Sequence, residues 1–139
     1  MRNLPLPLLG LAVLLMAGCG LNHSGTYQAE MQLITGKQET EKYPLQEQRK
    51  VWSRFGIPTL ELKPEGRYAK NENRHHTEGD WWVTADGTIA IHGDTHNGQP
   101  IHPGLRKEID REYNIRPDGT LSHHYGRPEA NLEIVWTKQ

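Results

Sequence analysis

Gly25-Thr26-Tyr27-Gln28-Ala29-Glu30-Met31-Gln32-Leu33-Ile34-Thr35 decides the fold. Tyr27, Ala29, Met31 and Leu33 fall on one face of an extended chain, and Gln28, Glu30 and Gln32 on the other. Successive side chains of a strand point to opposite faces, so this period of two marks a strand with one buried and one wet side. The same pattern recurs. Leu60 and Leu62 alternate with Thr59, Glu61 and Lys63, and Ile89 and Ile91 with Thr88, Ala90 and His92. Ile109, Tyr113 and Ile115 alternate with Asp110, Glu112 and Asn114, although Arg111 interrupts the apolar face. Leu132, Ile134 and Trp136 alternate with Glu133 and Thr137, with Val135 as the exception.

Three turn signatures join such runs: Lys63-Pro64-Glu65-Gly66-Arg67-Tyr68, Thr84-Ala85-Asp86-Gly87-Thr88-Ile89 and Arg116-Pro117-Asp118-Gly119-Thr120-Leu121. Each places an acidic residue before a glycine, and two carry a proline that pre-sets the first turn dihedral. The unequal spacing of Gly66, Gly87 and Gly119 makes these hairpins, not a solenoid repeat. The segment 44–56 breaks the pattern, with good helix formers, Pro44 near its start and Gly56 past its end. Leu45, Trp52 and Phe55 share a face there, which predicts a short helix capping one end of the sheet. The fold expected is all-β, an antiparallel meander of about eight strands with one short helix after the first strand. Short strands in so small a chain hide their edges most simply by closing into a barrel.

Composition narrows the function. A chain of 139 residues is one domain by size, with 16 Lys and Arg against 17 Asp and Glu. That balance argues against nucleic acid, which needs a concentrated basic face. The single cysteine excludes a disulfide within the chain, and the single long apolar run excludes a polytopic membrane protein.

That apolar run is N-terminal. Met1-Arg2-Asn3 precedes a stretch from Leu4 to Gly18 that is short for a bilayer span, ends in small residues and meets the only cysteine, Cys19. These are the parts of a secretory signal peptide. Leu15-Met16-Ala17-Gly18-Cys19 resembles the bacterial lipobox, with Met16 where the family usually has leucine. The resemblance implies a lipoprotein signal peptide over 1–18, an acylated Cys19 with a short tether over 19–24, and a single β domain over 25–139. It further implies a palmitate-type lipid anchor in the cell envelope, with the bilayer as partner. Gly20 after the cysteine points to the outer membrane where the host has two. Two or three acyl chains hold a protein to a bilayer where one does not. From Gly20 to Ser24 the tether reaches about 17 Å.

Gly25-Thr26-Tyr27 opening the first strand, the acidic-Gly hairpins, Glu78-Gly79-Asp80-Trp81-Trp82 and the terminal Trp136-Thr137-Lys138 look like the small lipocalin-like barrels common among bacterial lipoproteins. Tyr27 stands where true lipocalins carry tryptophan. An eight-stranded barrel has room inside for side chains or for one small ligand. A binding role, for a small apolar molecule or a protein partner, predicts a cavity lined by Tyr27, Leu60, Tyr113 and Trp136. Tyr68 and Tyr125 add bulk to that interior, enough to favour a filled core over a roomy pocket, and a solidly packed interior would remove the small-ligand version. Trp81 and Trp82 are adjacent in a strand and point to opposite faces.

The eight histidines are the unusual feature. His92, Asp94, His96 and His102 form the candidate ligand set for zinc or copper, the alternative function being transition-metal binding or sensing. By alternation His92 points to solvent and His123 inward. His75, His76 and His124 read as solvated. Asp94-Thr95-His96 resembles the opening motif of metallophosphoesterases, but the further motifs and the strand–helix order of that class are missing. No Gly-x-Ser-x-Gly elbow, phosphate loop or assembled nucleophile and base appears, so a non-enzymatic role is expected, binding or structural.

Overall fold

The computed structural model describes residues 23–33, 42–124 and 132–139. Cys19, the signal peptide, most of the tether and Tyr125 lie outside the described residues, as does the side chain of Leu45. The strands are β1 (Gly25–Leu33), β2 (Thr59–Leu62), β3 (Arg67–Glu72), β4 (His75–Val83), β5 (Thr88–His96), β6 (Gln99–Pro100), β7 (Arg111–Ile115), β8 (Leu121–His124) and β9 (Leu132–Lys138). Helix α1 (Lys42–Phe55) follows β1, and a 3₁₀ turn (Pro103–Leu105) leads into the single-turn α2 (Arg106–Ile109).

Each barrel strand pairs antiparallel with its neighbours in the order β1-β2-β3-β4-β5-β7-β8-β9, and β9 returns to β1 from Tyr27↔Lys138 to Leu33↔Leu132. Eight strands thus close an up-and-down barrel, an architecture consistent with a lipocalin-like barrel. The two-residue β6 pairs only with the end of β5. Closure leaves no long unpaired edge.

The three expected hairpins share one geometry. In each, the first residue's N–H donates to the carbonyl four residues on (Lys63 to Arg67, Thr84 to Thr88, Arg116 to Thr120), and the glycine N–H returns to the first carbonyl. Gly66, Gly87 and Gly119 have φ of 90°, 80° and 86°, the left-handed position of a three-residue loop. All three lie at the barrel end where β1 begins and β9 finishes. The opposite end, called the mouth below, carries α1, the β3–β4 turn at Asn73 and Arg74, and the excursion 97–110.

Inward positions follow the alternation: Tyr27, Met31, Leu60, Leu62, Ile89, Ile91, Leu121 and Ile134 are buried on one parity of their strands. Trp81 is buried and its Nε1 donates to Lys63 O at 2.8 Å, whereas Trp82 points outward and is 48% exposed. Helix α1 is present as expected. It packs on β1, sends Trp52 and Val51 to the core and leaves Trp82 uncovered, while Phe55 is 38% exposed with the guanidinium groups of Arg54 and Arg74 over its ring. The Gly56 N–H donates to Trp52 O and closes the helix. One expected strand residue is corrected: Ile109 is the last residue of α2, because Asp110 ends that turn and β7 starts at Arg111.

Gly79 marks the closest strand approach. The β4–β5 register shifts between Glu78 and Gly79, and a Cβ here would collide with His92 O and lie 2.7 Å from Gly93 Cα. Backbone atoms cannot rotate aside. Gly79→Ala is therefore expected to lower unfolding free energy by about 1–3 kcal/mol in urea melts.

Candidate functional site

Polar residues gather inside the mouth. On β3 the inward parity runs Tyr68, Lys70, Glu72, and on β4 it passes through Thr77. Lys70 is 8% exposed, its Nζ 3.1 Å from Glu72 Oε2 and 5.5 Å from the centre of the Trp136 ring. Burial opposes the charge on Lys70, but the Tyr113 oxygen and the Glu72 carboxylate offset it and the pKa lies above the ordinary lysine value. An ammonium therefore stands inside the barrel at neutral pH.

Across the interior, His123 on β8 is 9% exposed and accepts a hydrogen bond at Nδ1 from Trp136 Nε1 at 3.3 Å. Tyr113 stands edge-on to both rings. Burial, reinforced by Arg111, Lys70 and His124, pulls the His123 pKa down to about 3. The ring is neutral, with its proton on Nε2.

Four buried polar atoms lack a hydrogen-bond partner among the described residues: Trp52 Nε1, Tyr68 Oη, Arg111 Nε and Tyr113 Oη. Tyr68 Oη faces Thr77 without completing a well-formed hydrogen bond, and burial pushes its pKa up to about 12. Such orphans are uncommon in native interiors.

A cavity of about 160 Å³ opens at the mouth, lined by Lys70, Glu72, Asn73, His75, Thr77 and His96 from β3 to β5 and by Leu105, Glu108 and Ile109 from the excursion. The excursion is tied back to β5. Asp110 accepts from Gly93 N–H at 2.9 Å, Arg106 donates to Gly93 O and Asp110, and His92 Nδ1 lies 2.9 Å from Asp110 Oδ2. Burial works against the Asp110 charge, but the Gly93 N–H, Arg106 and His92 outweigh it and hold the carboxyl below its usual range. Gly93 lacks the Cβ that would collide with Ile101, Ile109 and the Tyr68 hydroxyl, so the excursion lies close over the barrel wall.

The residues expected to line a ligand cavity are placed differently. Tyr27, Leu60, Tyr113 and Trp136 are all buried at 1% exposure or less, but they pack against one another as core and none lines the cavity. Their bulk fills the barrel below the mouth. The metal candidates are not brought together either. His92 pairs with Asp110, Asp94 with Arg67, His96 with His75, and His102 Nδ1 accepts from Gly104 N–H. Among the described residues no group of three or more His, Cys, Asp or Glu stands in ligating array. His92 is exposed and His123 inward, as alternation predicts.

Alternation alone does not bring His75 and His96 together. Their Nδ1 and Nε2 lie 2.9 Å apart with stacked rings, at the cavity edge. They come from the facing ends of β4 and β5, and the bulge at Glu78/Gly79 hides that register from the sequence. Lys70 was legible in principle: it sits two residues from Tyr68 on the inward parity of a strand bounded by turns. Asn97 and Gly98 have φ of 50° and 80° and form the β5–β6 hairpin.

Fold and site together define a closed small barrel with a polar, partly buried mouth. Comparison with family models, with curated proteins and with solved structures finds no match.

Proposed function

We propose that this chain is a lipid-anchored protein of the cell envelope that binds a small molecule in the mouth of its barrel without transforming it. The cavity carries the reading: Lys70 and Thr77 are buried in its wall, Glu72 and Glu108 add carboxylates, Leu105 and Ile109 add apolar surface, and its volume is near the roughly 150 Å³ that admits a benzene-sized guest. Anchoring rests on Leu15-Met16-Ala17-Gly18-Cys19. The exposed Trp82 and Val83 support a protein partner in addition.

The full chain expressed with its own leader is the test. Cys19→Ala is expected to move it from the membrane to the soluble fraction and to abolish labelling by a palmitate analogue. Benzene-sized compounds added to the acylated protein in micelles are expected to shift the NMR signals of Thr77, His96 and Ile109. Shifts confined to other residues would remove the small-molecule role.

A second reading, binding of zinc or copper, is favoured by one observation. The His75–His96 nitrogen separation of 2.9 Å is near the roughly 3.3 Å between two nitrogen ligands of one tetrahedral zinc. Calorimetry with each metal tests it, and affinity unchanged by His75→Ala would sink it.

A further inference from the structure

We propose that the barrel end opposite the mouth rests on the bilayer surface through Trp82 and Val83, so that the mouth faces water. The inference rests on the lipid-anchored reading above. It assigns these two residues to lipid and leaves a protein partner as an outcome of the test.

Trp82 and Val83 are the last two residues of β4, beside the hairpin loop in which Thr84 pairs with Thr88. They therefore stand at the end of the barrel farthest from the mouth. Trp82 points outward from the wall there, and Val83 follows at the rim, 40% exposed. An exposed indole beside an aliphatic side chain suits the headgroup level of a bilayer, where one part of the ring meets acyl chains and the other stays wet.

The chain enters at the same end. β1 starts there at Gly25, and the Tyr27 hydroxyl donates to His23 O at 2.7 Å, which ties residue 23 to that end. Cys19 lies four residues before His23, a reach of about 14 Å at full extension. The nine residues of β4, tilted as barrel strands are, stand about 20–25 Å tall. An acylated Cys19 in the lipid surface cannot let the barrel turn over and set its mouth on the bilayer. The tether keeps the 84–88 end nearest to lipid, and Trp82 leans the barrel toward its β4–β5 side.

Charge sets the kind of lipid. Glu65, Asp86 and Asp118 in the three turns are matched by Lys63 and Arg116 beside them and by Lys138 at the end of β9. This end carries no excess of cations, so the contact is apolar and does not need anionic headgroups. The mouth then opens about 20–25 Å above the bilayer, and its ligand arrives from water.

The acylated protein, expressed with its own leader and floated with phosphatidylcholine vesicles, is the test. Vesicles with brominated acyl chains are expected to lower its tryptophan emission by about a quarter, one tryptophan of four, and to leave acylated Trp82→Phe nearly unchanged. Iodide is expected to quench Trp82 in the soluble Cys19→Ala protein and not in the vesicle-bound one. A floating protein whose Trp82 is quenched by iodide and not by bromine overturns the orientation while the anchor stands. Shielding of Trp82 from iodide without bromine quenching, in the Cys19→Ala protein as well, assigns the rim to a second copy of the chain and also overturns it. A protein that does not float with vesicles overturns the anchor and the orientation together.

Discussion

Trp136→Ala is expected to lower unfolding free energy by about 3–5 kcal/mol, measured as a shift of the urea midpoint at pH 7. Trp136 is 1% exposed and lies at the centre of the aromatic interior. Its ring is edge-on to Tyr113, stacked with His123 and beneath the Lys70 ammonium, and its Nε1 supplies the proton that His123 accepts. Truncation empties a volume that a closed barrel cannot collapse, since the pairs Ala29↔Trp136 and Leu121↔Trp136 fix the wall on both sides. It also leaves a buried imidazole nitrogen without its donor. Trp136→Phe keeps a ring in the site while removing the hydrogen bond and part of the indole volume, and is expected to cost about 2–3 kcal/mol, less than the alanine. Trp82→Ala, on the outer face, is expected to stay within about 0.5 kcal/mol of the parent.

The contrast between Trp136 and Trp82 shows which part of the fold the sequence exposes. Alternation is a local property, because side-chain direction in a strand is fixed by the pleat whatever the partner strand. Parity therefore sets Trp81 and Trp82 on opposite faces and assigns His92 to solvent and His123 to the interior before any pairing is known. Hairpin turns are equally local, and the three acidic-Gly loops fold as their residues demand.

The site is another matter. Its wall joins β3, β4 and β5 to an excursion that folds back from residue 97, and a bulge sets which residues of β4 and β5 face each other. No local pattern reports this bulge, which sits where Gly79 and Gly93 pass closely. Nor does composition say whether aromatic bulk reaches the mouth or stops below it: Tyr27, Leu60, Tyr113 and Trp136 lie buried in the barrel, and the cavity is lined by other residues. Ile109 fits the strand pattern yet ends α2, because its apolar side chain suits a strand face as well as the inner side of a single helical turn.

Acid is expected to destabilise this barrel well before its carboxylates titrate, and His123 is the reason. Its folded pKa is about 3 against an ordinary value of 6.5, so the unfolded chain takes up the proton first. The stabilisation is fully present above pH 6.5 and is lost as pH falls, at about 1.4 kcal/mol per pH unit, until the folded value is reached. Across the whole window that amounts to about 4–5 kcal/mol, a large share of the 5–15 kcal/mol that holds a small domain together. The interior offers the new charge no relief. Arg111 and Lys70 are cations, Tyr113 is a neutral phenol, His124 on the same strand adds no anion, and Trp136 presents a donor where the imidazolium would carry its own proton. Urea melts from pH 6.5 down to 4.5 isolate the effect. Asp110 and Asp118, both held below their usual carboxylate range, add their own loss only at lower pH. In that interval the parent is expected to lose about 2 kcal/mol. His123→Gln keeps an acceptor for Trp136 but cannot be protonated, so its stability should stay flat over the same interval. A His123→Gln protein that loses stability as steeply as the parent would assign the acid sensitivity to some other group and with it remove the neutral imidazole from the barrel interior.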